Sequence, residues 1–190
     1  MKIVILIIIG LGFILPECQA QRKLPEQKGL QLNAGFNDGY GFNRKKNISY
    51  YTSFCLFSYT PNSHAWLYGI EYWEKRYCYK SWSIPVSQFS LESGYYYNFL
   101  SDRRKNVFFS IGVSGLAGYE TIHWGKKVVS DGARIENKNK FIAGGTLTIE
   151  VETFVTDYLS FVINGRERFT TSDVGKWHFQ TGIGIRYIYK

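Results

Sequence analysis

The chain has 190 residues, of which 18% are aromatic, with 15 Tyr, 14 Phe and 19 Gly against 4 Pro and one Met. That length suits one domain, and the composition argues for an all-β protein and against a helical bundle, while a mean hydropathy of −0.20 argues against helical membrane packing. The formal net charge of +8 favours contact with lipopolysaccharide, phospholipid or nucleic acid without choosing among them.

Residues 1–20 read as a secretory signal peptide. Lys2 supplies the positive start, and residues 3–15 form an apolar run too short for a comfortable span of about 20 residues. Pro16 breaks the run, and Cys18-Gln19-Ala20 has the small-x-small form of a cleavage site. Cleavage after Ala20 leaves a single barrel domain over residues 21–190 and two cysteines, Cys55 and Cys78. Pro16 and Glu17 stand where a lipoprotein signal needs small residues before Cys18.

After a polar leader over residues 21–28, Leu30, Leu32, Ala34 and Phe36 alternate with Gln31, Asn33 and Gly35 as strand one. Residues 37–47 form a Gly- and Asn-rich loop carrying Arg44, Lys45 and Lys46. Strand two, residues 48–59, has aromatics on both faces and the least clear parity, and residues 60–63 form a tight turn. Strand three sets Trp66, Tyr68, Ile70 and Tyr72 against Ala65, Leu67, Gly69 and Glu71. Residues 75–85, with Lys75 and Arg76, are expected to form a second basic, aromatic loop.

Strand four sets Phe89, Leu91, Tyr95, Tyr97 and Phe99 against Gln88, Ser90, Glu92, Gly94 and Asn98, and residues 101–106 make a polar turn. Strand five, residues 106–120, is the most regular. Val107, Phe109, Ile111, Val113, Gly115, Ala117 and Tyr119 share one face, and Phe108, Ser110, Gly112, Ser114, Leu116, Gly118 and Glu120 the other. The longest loop, residues 121–140, carries Lys126, Lys127, Lys138 and Lys140.

Strand six sets Phe141, Ala143, Leu147, Ile149 and Val151 against Gly144, Thr146, Thr148, Glu150 and Glu152. Strand seven sets Leu159, Phe161 and Ile163 against Ser160, Asn164, Arg166 and Arg168; Glu167 falls on the apolar face and reads as rim-located or beside a bulge. Strand eight sets Trp177, Phe179, Ile183, Ile185, Tyr187 and Tyr189 against His178, Gln180, Gly182, Gly184 and Arg186.

Alternation alone is shared by soluble and membrane barrels, but a soluble barrel turns its polar face to water. Here that face is built from Gly, Ser, Thr, Asn and Gln with a few Glu and Arg, and Lys gathers in loops. The reading is therefore an eight-stranded antiparallel up-and-down transmembrane β-barrel of the outer-membrane type. Long connections face outward and short ones inward, which puts both termini in the periplasm. Eight strands enclose room for side chains only. Glu71, Glu92, Glu120, Glu150, Glu152, Arg166, Arg168 and Arg186 are then expected to pair in two tiers as a structural network in the lumen. A periplasmic lipocalin-like ligand-binding barrel and a lipid A-modifying barrel enzyme are the other readings. For the enzyme, His64, His123 and His178 belong to no recognisable Ser/His constellation. No cofactor motif or metal-ligand spacing is present. Cys55 and Cys78 are expected to be free thiols. The basic loops are a surface for lipid or a protein partner, and nucleic-acid contact through them is the weaker reading.

Four blocks carry a family likeness: SIPVSQFSLESGYYYNFLSD (residues 83–102), FFSIGVSGLAGYETIHWGKK (108–127), DGARIENKNKFIAGG (131–145) and IEVETFVTD (149–157). Together they resemble the TraO conjugal transfer proteins of Bacteroides-type conjugative transposons over nearly the whole mature chain. The resemblance implies a role in conjugative DNA transfer beside other proteins of a mating apparatus, and it brings no catalytic residues with it.

Overall fold

A computed structural model describes residues 22–38, 49–79, 82–122, 139–172 and 175–189. Eight strands follow in chain order: β1 (Lys28–Asn37), β2 (Ser49–Tyr59), β3 (Ala65–Tyr79), β4 (Trp82–Ser101), β5 (Val107–Ile122), β6 (Lys140–Phe154), β7 (Leu159–Thr170) and β8 (Trp177–Ile188). Each is antiparallel to its neighbours in sequence, and β1 pairs with β8 from Gly29↔Ile188 to Asn37↔Gln180, which closes the barrel. One end carries short turns, residues 60–64, 102–106 and 155–158; the other carries the remaining connections. These are called the turn end and the loop end.

The direction of the alternation decides the environment. Val113 and Ile183 on the outer wall are 66% and 68% exposed, whereas Arg168 and Glu152 in the lumen are 0% exposed. A water-soluble barrel buries its apolar side chains, because their removal from water drives folding. This one turns them outward, where a bilayer hydrocarbon core covers them.

Two places depart from the sequence reading. Residues 75–79 and 82–85 are strand and not loop: Lys75 pairs with Val86, Arg76 with Pro85, Tyr77 with Ile84 and Tyr79 with Trp82, so only two residues separate β3 from β4. Lys75 and Arg76 are thus strand residues. Aromatic and β-branched side chains favour strand here, and the intervening charges hid the alternation. Pro85 read as a break, yet proline is tolerated in a strand wherever its missing N–H is not called on.

The second is a bulge that the sequence reading did not place, whereas Glu167 takes the rim position, one of the two readings given for it. Glu167 sits three residues from the loop-end limit of β7, in register with Leu147 and Phe179 and with no shift beside it. The register shift lies in β4 between Asn98 and Leu100. The extra residue lets Phe99 and Leu100, adjacent in sequence, both point to the outer wall.

In β2 the parity resolves inward for Tyr51, Ser53, Cys55, Phe57 and Tyr59. Three of these are aromatic, which is why neither face of this strand read as polar. Cys55 is a free, buried thiol, and Cys78 lies on β3, not in a loop.

Val113 lies near the middle of β5. Val113→Arg is expected to destabilise the barrel in bilayers by about 2–4 kcal/mol, the range for a cation at the midplane of an outer-membrane barrel. Urea titration of liposome-folded protein measures it.

Candidate functional site

The lumen is filled by side chains in layers. At the turn end, Phe57 and Tyr59 from β2, Ala65 and Leu67 from β3, Phe108 from β5 and Phe154 from β6 form an apolar floor. Above it lies the first charged tier. Arg186 donates from Nη1 to Glu152 Oε2 at 2.7 Å and from Nη2 to Glu150 Oε1 at 2.9 Å. Its Nε also donates to Gln31 Oε1 at 3.0 Å, and its guanidinium lies 4.7 Å from the centre of the Phe57 ring. Tyr59 OH and Ser160 Oγ both donate to Glu152 Oε1 at 2.7 Å.

The second tier is nearer the loop end. Arg166 donates from Nη1 to Glu71 Oε2 at 2.8 Å and from Nη2 to Glu92 Oε2 at 2.5 Å. Arg168 Nη1 meets Glu71 Oε1 at 2.5 Å. Ser114 Oγ donates to Glu92 Oε1 at 2.5 Å, and the Thr146 hydroxyl lies within donating reach of both Ser114 Oγ and Glu92 Oε1. Tyr51 OH reaches across from β2 to Asn164 Oδ1 on β7 at 2.7 Å.

These partners follow from the register. Inward parity on β3, β4, β6, β7 and β8 aims Glu71, Glu92, Glu150, Glu152, Arg166, Arg168 and Arg186 at one axis, and an eight-stranded barrel is narrow enough for opposite walls to touch. A buried charge is tolerable only when paired and hydrogen-bonded. Glu120 stands apart from both tiers: Gln88 Nε2 and Ser172 Oγ donate to its Oε2, each at 2.6 Å.

One member of the network escaped the sequence reading. The first tier counts two carboxylates, Glu150 and Glu152, against Arg186. Its second cation is Lys23, whose Nζ lies 2.7 Å from Glu152 Oε2 although the residue precedes β1. It looked like part of a solvated leader. The available signal was arithmetic: one arginine leaves that tier a charge short.

At the loop end, His178 Nδ1 lies 3.2 Å from Asp38 Oδ1 and its Nε2 lies 3.1 Å from the Gly175 carbonyl. Lys75 Nζ donates to Asp38 Oδ2 at 3.2 Å, and Arg76 Nε donates to Glu74 Oε1 at 2.8 Å. Lys140 Nζ donates to the Thr171 carbonyl at 3.3 Å. Lys75, Arg76 and Lys140 are therefore engaged at the rim. Arg44, Lys45, Lys46, Lys126, Lys127 and Lys138 lie outside the described residues, as does His123. His64 accepts a hydrogen bond at Nδ1 from the Asn98 amide at 3.1 Å and stacks on Tyr97 at the turn end, far along the barrel from His178. Among the described residues no group of three or more His, Cys, Asp or Glu could hold a metal ion.

The family described as "Conjugative transposon protein TraO" matches residues 24–189. The chain belongs to the TraO family. No curated protein matches it. Among solved structures, this TraO protein resembles Neisserial surface protein A, with a TM-score of 0.57 and 11% identity over 85% of this chain and 97% of that one. It resembles Ail, the attachment invasion locus protein of Yersinia pestis, in complex with the heparin analogue sucrose octasulfate, with a TM-score of 0.53 and 9% identity over 87% and 100% of the two chains. The N-terminal β-barrel domain of Pseudomonas aeruginosa OprF gives a TM-score of 0.50 and 8% identity over 86% and 99%. At such identities the likeness is one of fold, and that fold is the eight-stranded outer-membrane type.

Arg186→Met is expected to cost about 3–5 kcal/mol, because Glu150 and Glu152 would keep their burial and lose their main partner. In the other tier, a double-mutant cycle of Glu71→Gln and Arg168→Met is expected to show coupling of about 0.5–3 kcal/mol. Both are read from urea unfolding of the liposome-embedded barrel.

Proposed function

We propose that this TraO protein is an accessory, structural component of a mating apparatus, lodged in the outer membrane, which works through its two ends and not through its lumen. The observation that carries this reading is the filled interior. Ion pairs cross it at two levels, and at the loop end the Trp73 ring of β3 lies 4.9 Å from the His178 ring of β8. An interior closed by contacts of that length passes neither DNA nor a pilus, so the barrel serves as an anchor.

The orientation belongs to the same proposal. The leader is removed after Ala20, both termini lie in the periplasm with the turn end, and the loop end faces outside. Three of its four connections are longer than any at the turn end, the two-residue β3–β4 connection being the exception, and outer-membrane barrels place their longer loops outside. The paired lumen charges hold the wall together. With Lys75 and Arg76 paired to Asp38 and Glu74, the excess positive charge of this end comes from the loop sequences, with Arg44, Lys45, Lys46, Lys126, Lys127 and Lys138, and it fits anionic saccharide or lipid on a cell surface. Ail, alike in fold, is described in complex with a sulfated saccharide analogue, and we carry over only that class of contact. Other proteins of the apparatus would meet the turns, the loops, or both.

In a donor lacking this protein, conjugative transfer is expected to fall at least tenfold and to be restored by the wild-type chain. The chain should fractionate with the outer membrane and begin at Gln21 by N-terminal sequencing. Wild-type transfer from the deletion strain would refute the role, and a changed lipid A mass spectrum in that strain would favour an enzyme instead.

A further inference from the structure

The segment before β1 enters the barrel, and nothing in the assigned role uses it. Leu24, Pro25, Glu26 and Gln27 form a turn: the Gln27 amide donates to the Leu24 carbonyl at 3.3 Å, and the Leu24 amide donates to Gln27 Oε1 at 2.8 Å. Pro25 sits second in the turn and Glu26 third, with φ 69° in the left-handed region, where the turn geometry demands it. The reversal tucks Arg22 and Lys23 back under the lumen. Lys23 is 2% exposed, with its Nζ on Glu152, 4.2 Å from the centre of the Phe108 ring and 5.1 Å from that of Tyr59. The Arg22 guanidinium lies 5.8 Å from the centre of the Phe154 ring, and its Nε is 3.9 Å from Asp157 in the β6–β7 turn. A carboxylate ringed by aromatic faces is the chemistry that recognises an ammonium ion.

The arm is also separable from the wall. The last contacts that extend the β1–β2 ladder are Tyr59 N to Gln27 O at 2.8 Å and Glu26 N to Tyr59 O at 2.9 Å. Among the described residues, residues 22–25 make no backbone hydrogen bond to a strand. The barrel closes through β1 and β8 without them. Burial pulls the Lys23 ammonium below the ordinary lysine range, against the attraction of Glu152, so desolvation offsets much of what the ion pair contributes.

We propose that residues 22–25 are a detachable arm, hinged at Glu26, that fills an ammonium-binding pocket at the turn end, and that the emptied pocket takes a lysine-bearing segment of another polypeptide. The pocket consists of Glu152, Tyr59, Phe108 and Phe154. This inference is independent of the role in conjugation.

Two measurements on the folded mature protein in detergent test it. In the first, a fluorescein-labelled peptide of residues 21–27, QRKLPEQ, is titrated against the wild-type barrel and against a variant lacking residues 21–25. The variant is expected to bind with a Kd below about 1 mM, and a peptide carrying Lys23→Gln at least tenfold more weakly; the wild type, its pocket filled, should bind at least tenfold more weakly than the variant. A variant that folds yet ignores the peptide, or binds both peptides equally, overturns the proposal. A variant that does not reach the heat-modifiable folded form shows the arm to be integral and overturns it too. In the second, trypsin acts on the full mature chain and intact mass reports cleavage after Arg22 and Lys23. Glu152→Gln is expected to speed that cleavage about tenfold while the barrel stays folded, and an unchanged rate overturns the proposal.

Discussion

Arginine and glutamate held face to face in a space without room for bulk water are what this fold depends on. A chain that gives its apolar side chains to lipid has nothing greasy left to fill most of its centre, so the interior must be polar. Glu71 and Glu92 meet Arg166 and Arg168 at one level; Glu150 and Glu152 meet Arg186 and Lys23 at the other. Each level is neutral by two against two. Such clusters contribute modest net stability, since desolvation offsets most of the attraction. Their effect is on register: a one-residue slip of any strand would turn its charges toward hydrocarbon.

Apolar clusters flank the tiers toward both ends of the lumen. The floor at the turn end is aromatic and aliphatic, with Phe57, Leu67, Phe108 and Phe154 packed together. At the loop end Tyr51, Trp73 and Val86 cluster beside the His178 contact. Apolar caps at both ends hold water away from the ion pairs and raise the local strength of their attraction. The centre of the molecule is thus electrically active and closed while Lys23 is seated on Glu152, which leaves the two ends as the places where partners can be met.

Much of this architecture was legible in the chain because the side-chain period of a strand is two. Residues 106–120 read without ambiguity, and the inward Glu and Arg positions followed from parity alone. What stayed hidden had local causes. In β2, Tyr51, Phe57 and Tyr59 point inward, so both faces looked apolar. In the β3–β4 hairpin, Lys75, Arg76 and Pro85 looked like loop punctuation although they sit in paired strands. The β4 bulge showed only as Leu100, an apolar residue on the parity of Asn98 and next to Phe99, and one such residue does not distinguish a bulge from a strand end. Lys23 was missed for a different reason: its place in the lumen is set by a turn at Pro25 and Glu26 before the first strand, and periodicity says nothing about a segment that folds back from outside the sheet.

The ladder between β1 and β8 has a consequence for biosynthesis. The first strand to be made waits for the last, and until Gly29 lies beside Ile188 the sheet has two open edges, each a row of unmet amides and carbonyls. No fragment that stops short of the C-terminus can close. Ribosome, export and membrane insertion must therefore deliver this polypeptide whole, and a nascent chain held in transit needs an escort to shield those edges from its own kind.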